Sequence, residues 1–233
     1  MSQVRSIVAL GSAALLLSST ALAHVSITNG PGIADASQVL TFGVGHGCEG
    51  SDTVAIEISI PEEVTVTRGL VGPDGFGQPV ITKNDAEFVT KVSWSKTDAE
   101  AGDDNYYQFG IRIKVPNTPF KTLLFPAKQT CRTADGEEII ADWSLSAEDA
   151  EAGGEHALAA PSLTILPPHK AGWNKYTIED KLEDLSVFDD AQIVWLDDDA
   201  YSSNEATKEL IASDDDVGEL TEIAAGSEIW VKY

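Results

Sequence analysis

The residue best placed to do chemistry in this chain is His24, because it directly follows Ala21-Leu22-Ala23. If the bond after Ala23 is cut, the histidine gains a free α-amine, whose ordinary pKa of roughly 7.7–8.0 lets it deprotonate for a metal near neutral pH. Amine nitrogen and imidazole Nδ1 can then close one chelate ring, offering two nitrogens in nearly square-planar directions. That donor set suits Cu(II), the strongest binder among the divalent first-row metals. The plainer reading is that leader cleavage must leave some residue first, and histidine can stand there by chance. His46 lies among glycines in Gly43-Val44-Gly45-His46-Gly47-Cys48, where backbone can approach closely; its plainer role is a hydrogen bond at a strand end. His156, in an acidic stretch, and His169, beside Pro167-Pro168, read as surface residues. Trp143 reads as core on a strand, and Asp142 beside it could complete a metal site, although nothing in the spacing selects it over other carboxylates.

Much chemistry is excluded. There is no His-x-His, no His-Glu-x-x-His and no methionine beyond Met1. A blue-copper centre needs a cysteine with two histidines, and the two cysteines are better used on each other. The chain has no Gly-x-Ser-x-Gly elbow, phosphate loop or dinucleotide fingerprint. Carboxylate pairs are too common here to mark a glycosidase.

The leader sets the compartment. Arg5 precedes the apolar run Ile7–Leu17, and Ser18-Ser19-Thr20 leads into the small-residue cleavage site, the pattern of a secretory signal over residues 1–23. The run is shorter than the about 20 apolar residues a spanning helix needs, so cleavage is expected in preference to a retained anchor. The mature chain is then periplasmic or secreted, with no transmembrane segment.

Removing residues 1–23 takes away one basic side chain and leaves 14 basic against 38 acidic ones, net −24. Such a surface repels nucleic acid, whose binding depends on Lys and Arg neutralising phosphates. Cys48 and Cys131 form an even pair in an exported chain, most simply one disulfide. Closing a loop of some eighty residues would stabilise the fold by ~4 kcal/mol.

The elements that must position these residues are strands. Val39–Val44, Val54–Ile60, Glu63–Val71, Glu87–Trp94, Tyr106–Val115, Thr122–Phe125, Ile139–Leu145 and Ser162–Leu166 are rich in β-branched and aromatic residues. Several alternate with a period of two, and turn-formers such as Pro73-Asp74-Gly75 and Ala134-Asp135-Gly136 separate them. This rhythm predicts an all-β sandwich. Ala147–Ala160 reads as an exposed loop. Beyond Pro168 the composition shifts to a small α+β module of residues 167–233, with helices near Ile178–Leu185 and Asn204–Ile211 and strands at Ala191–Leu196 and Glu228–Tyr233. Its seven aromatics are too many for a disordered tail.

Residues 24–166 resemble the YcnI-like copper-binding family of exported bacterial proteins. The resemblance runs through Ala23-His24-Val25, Gly45-His46-Gly47-Cys48-Glu49-Gly50-Ser51, Ile58-Ser59-Ile60-Pro61-Glu62, Val92-Ser93-Trp94, Leu124-Phe125-Pro126-Ala127-Lys128-Gln129-Thr130-Cys131, Asp142-Trp143 and Pro161-Ser162-Leu163-Thr164. It implies a cupredoxin-like β-sandwich binding Cu(II) through a single-histidine brace at His24, with Trp143 near the metal and Cys48 and Cys131 as the disulfide. It also implies copper storage or homeostasis in the cell envelope, with copper chaperones or transporters as partners. The chain departs from the family pattern at Gly45, often Pro, and in the Gly72–Gly77 turn. The expectation is therefore a non-catalytic copper binder. The rival readings are a copper-dependent oxygenase, which would need a second histidine, and a metal-free structural or partner-binding envelope protein.

Overall fold

The alternating runs become strands whose inward residues meet across a sandwich. A computed structural model describes residues 24–99, 102, 105–154 and 157–233. Residues 1–23, expected to be a secretory signal, and His156 lie outside the described residues. From 24 to 166 the strands are β1 (Val25–Ile27), β2 (Gly32–Ile33), β3 (Ser37–Val44), β4 (Asp52–Ser59), β5 (Thr65–Gly69), β6 (Val80–Lys83), β7 (Val89–Ser95), β8 (Tyr107–Lys114), β9 (Thr122–Leu124), β10 (Ala127–Arg132), β11 (Glu138–Leu145), β12 (Leu158–Ala159) and β13 (Ser162–Leu166). One sheet has the order β1-β3-β8-β5, the other β12-β11-β10-β4-β7-β6, and a short β2-β13-β9 sheet accompanies them.

Period-two patterning puts Leu40, Phe42 and Val44 of β3 and Phe109, Ile111 and Ile113 of β8 into the same core as Val54's neighbours Ile56 and Ile58 of β4 and Val92 and Trp94 of β7. Each of these side chains is fully or almost fully buried. The chain is thus an all-β sandwich carrying a small C-terminal extension.

Several elements differ from the sequence reading. Ala127–Arg132 forms β10, a central strand between β4 and β11, although Lys128 and Arg132 dilute its hydrophobic signal. The stretch read as a loop contains helix α1 (Ala147–Gly153), capped by the Ser146 side chain accepting from the Asp149 N–H, and then β12, which pairs parallel with β11. Helix α1 buries no residue, so no apolar periodicity announced it.

The C-terminal residues form β14 (Trp173–Thr177), β15 (Ile193–Leu196), β16 (Asp199–Tyr201), α2 (Glu205–Ser213), β17 (Gly218–Glu219) and β18 (Glu228–Lys232). Their sheet runs β14-β18-β15-β16-β17. The helix expected near Asn204–Ile211 exists, with Asn204 as its N-cap. The helix expected near Ile178–Leu185 does not form. That stretch is irregular chain with a Leu182–Ile223 bridge, ending in a 3₁₀ turn over Leu185–Phe188. Ile178, Leu182 and Leu185 are all buried, so their helical spacing arose from a looped segment dropping side chains into a core.

That second core is not closed on itself. Phe120 and Leu166 of the sandwich join it together with Ile178, Phe188, Val194 and Val231. Phe120 is fully buried and lies 5.3 Å from the Tyr176 ring and 5.8 Å from the Phe188 ring, centroid to centroid. At the same seam the Asp180 carboxylate accepts from the Thr122 N–H at 2.8 Å.

Among the described residues no helix is long and apolar enough to cross a membrane.

Candidate metal centre

His24 stands immediately before β1, an edge strand whose register pairs Val25 with Val44 of β3. Val25 and Val44 point into the core, so alternation turns His24 away from it, and His24 is exposed. Its neighbour across the ladder is Gly45, where an added Cβ would come 4.0 Å from the His24 carbonyl oxygen.

The other sheet brings Trp143 to the same place. Trp143 is on the inner face of β11, 2% exposed, and its ring centroid lies 5.6 Å from that of His24 at an interplanar angle of 49°. The candidate centre therefore sits at one end of the sandwich, where an imidazole from one sheet meets an indole from the other.

Beneath this contact is a buried polar pair. The register Ala127–Trp143 and Gln129–Ala141 makes Trp143 and Gln129 diagonal neighbours on β11 and β10. Gln129 is fully buried and donates from Nε2 to the His46 carbonyl and to Thr53 Oγ1, each at 2.9 Å. Its Oε1 and the Trp143 Nε1 are buried with no protein hydrogen-bond partner. A buried donor or acceptor left unmatched costs about 1–3 kcal/mol. Gln129 was not singled out from the sequence; its only signal there was an uncharged polar residue two places before Cys131.

The disulfide between Cys48 and Cys131, with an S–S distance of 2.07 Å, ties the Gly45–Ser51 segment to β10. The Cys48 N–H and Ser51 carbonyl pair at 3.0 Å, so the loop that flanks His24 is fixed at both its glutamine and its cystine. Removing this cross-link across a separation of 83 residues is expected to cost about 4 kcal/mol. Urea unfolding of Cys48→Ala/Cys131→Ala against the oxidised parent measures it; a loss under about 1 kcal/mol would show that the loop holds without its staple.

His46 follows Gly45, the neighbour of His24 across the ladder, whereas His169 belongs to the C-terminal module. Asp142 is exposed and is the register partner of Lys128, so strand alternation sends it to the face opposite Trp143. This corrects its candidacy as a ligand, because neighbouring residues on a strand cannot share a face. His46 is half-buried, with Nδ1 2.7 Å from the Gly47 carbonyl oxygen; a carbonyl can only accept, so Nδ1 carries the proton and the ring's lone pair lies on Nε2. His169 is near the chain end of the module, stacked on Tyr233 at 4.2 Å and 3.1 Å from an Asp190 carboxylate oxygen. Among the described residues no group of three or more His, Cys, Asp and Glu could hold a metal ion. His24 itself offers nitrogen donors alone.

An all-β sandwich with a cystine-fixed loop and an exposed histidine opening its first edge strand is the class that fold and site define. The chain belongs to the family described as a domain of unknown function, DUF1775, whose model matches residues 24–73 and 75–166; the YcnI-like proteins are part of that family. A solved structure, that of an uncharacterized protein from Nocardia farcinica described as immunoglobulin-like, is similar over 61% of this chain and 98% of its own, at 24% identity and a TM-score of 0.47. No curated protein matches the chain.

Proposed function

We propose that the mature chain is an exported Cu(II)-binding protein that stores or hands on copper in the cell envelope, using the α-amine and imidazole of His24. The observation that carries this reading is the contact between His24 and Trp143 at 5.6 Å, which sets the imidazole opening β1 against a buried indole whose N–H has no protein partner.

The donor set fits the ion. Two nitrogens from one residue satisfy Cu(II) better than Mg(II), Ca(II) or Mn(II), which prefer oxygen. With no cluster of further protein ligands among the described residues, the ion stays accessible from solvent, which suits transfer to another protein. An oxygenase brace would need a second imidazole, and Cu(II) affinity unchanged in His46→Ala is the result expected of a single-histidine site.

The test is titration of mature protein with Cu(II), followed by paramagnetic resonance and tryptophan fluorescence. The parent is expected to give a nitrogen-rich type-2 signal. His24→Ala should weaken binding at least about 100-fold, equivalent to ~2.7 kcal/mol. One extra residue placed before His24, which keeps the imidazole but turns the amine into an amide, should do the same. Unchanged affinity in either variant would overturn the proposal.

A further inference from the structure

The C-terminal sheet has a second face that neither core uses. Its inner residues Tyr176, Val194, Ile229 and Val231 pack into the second core. The alternate residues point outward, and the register places them side by side: Trp173 opposite Lys232, and Lys175 opposite Trp230, which in turn faces Trp195 of β15. Direct cross-strand partners share a face. The result is a checkerboard of indoles and ammonium groups over three neighbouring strands. Lys232 Nζ lies 5.8 Å from the Trp173 ring and Lys175 Nζ 5.9 Å from the Trp230 ring, while Lys175 also pairs with Glu228 at 2.9 Å. Trp173 is 52% and Trp230 47% exposed.

This face is not what a sheet needs merely to meet water. A solvated strand face is ordinarily polar, and leaving large apolar rings in water forgoes about 25 cal/mol per Å² of burial. The chain has 5 tryptophans; Trp94 and Trp143 are buried in the sandwich, and the other three stand together here.

We propose that this face binds the pyranose rings of a polysaccharide. An indole is flat and apolar on its face, which matches the C–H face of a pyranose. The ammonium groups of Lys175 and Lys232 and the Glu228 carboxylate stand beside the rings as donors and acceptors for ring hydroxyls. The local charge balance is compatible with the same ligand: two cations and one anion leave a single positive charge, which suits a hydroxylated, weakly charged chain. A nucleic acid or an anionic bilayer would need a basic surface, and the mature chain carries net −24, from 14 basic and 38 acidic side chains. That charge also opposes a second copy, since like-charged molecules repel. The surface is independent of His24, so copper binding and polysaccharide binding can fail separately.

The experiment is co-sedimentation of the full mature chain with insoluble chitin, cellulose and isolated peptidoglycan, with zwitterionic and anionic phosphatidylcholine/phosphatidylglycerol vesicles and analytical ultracentrifugation run in parallel. Retention on at least one polysaccharide is expected, changing less than twofold up to about 1 M salt, where the Debye length is only ~3 Å. Trp173→Ala/Trp230→Ala should weaken it at least tenfold while the Cu(II) titration stays unchanged, and Trp230→Phe should restore part of the loss. In the unmodified protein, chitohexaose or cellohexaose should shield tryptophan fluorescence from acrylamide quenching, a readout that does not depend on any variant folding. No retention together with no shielding, retention indifferent to the double substitution, or loss of vesicle binding or self-association in its place would each overturn the proposal.

Discussion

Replacing Asp52 with Asn is expected to cost about 3–5 kcal/mol of stability, the loss typical when one partner of a buried ion pair is removed. Asp52 and Lys96 pair at 2.6 Å with side chains 1% and 5% exposed. The Tyr107 hydroxyl accepts from Lys96 Nζ at 2.7 Å and donates to Asp52 at 2.9 Å. Asn would leave the Lys96 ammonium buried beside the Phe76 and Tyr107 rings without its counter-charge. Removing the whole triad with Asp52→Leu/Lys96→Met/Tyr107→Phe should recover most of the loss, because apolar replacements carry no desolvation penalty. Urea melts of the single and triple variants test this; a triple variant as unstable as Asp52→Asn would show that the effect lies elsewhere.

The triad also fixes a pH dependence. Burial alone would pull the Lys96 ammonium below its usual value of 10.5, and the hydrogen bonds to Asp52 and Tyr107 more than reverse this, leaving it raised. Burial pushes the Tyr107 hydroxyl above its usual 10.0; the Lys96 bond opposes and the Asp52 bond reinforces the rise. The folded chain therefore keeps protons that the unfolded chain releases from about pH 10 upward. The stability these groups add is complete at neutral pH and is lost as pH rises through the raised values. The parent should lose stability on alkaline titration more steeply than the triple variant.

The second large effect is expected at Phe120, where truncation to Ala should cost about 3–5 kcal/mol. The ring fills the seam between Tyr176 and Phe188, so the loss should fall on the C-terminal sheet: hydrogen exchange in β14, β15 and β18 should accelerate before the sandwich core yields. Phe120 also has φ of 63°, a conformation costing a residue with a Cβ roughly 1–2 kcal/mol. Phe120→Gly sheds that strain and should be less damaging than Phe120→Ala by about 1 kcal/mol, the reverse of the usual order at a buried site. Equal exchange rates in parent and variants would mean that the two cores are not mechanically joined here.

How much of this was legible beforehand depended on whether a signal is local. Strands β3, β4, β7 and β8 were readable because alternation of Leu40, Phe42 and Val44, or of Phe109, Ile111 and Ile113, is written within one segment. Strand β10 was missed because its inward residues are Ala127, Gln129 and Cys131, of which one is polar and none is β-branched or aromatic. The spurious helix at Ile178–Leu185 came from apolar spacing that a loop satisfied equally well.

The sequence by itself determined the sandwich class, the cystine of Cys48 and Cys131, and the acidity that keeps polyanions away, because composition, period-two patterning and cysteine number need no knowledge of what packs on what. Tertiary structure alone decided that Trp143 meets His24 while its neighbour Asp142 does not. Only folding could settle that Asp52, Lys96 and Tyr107 share one buried site, and that three tryptophans spaced along the C-terminal residues lie on one face. Those facts depend on which strands become neighbours and in what register, and a single-residue slip would have turned every one of these side chains to the opposite side.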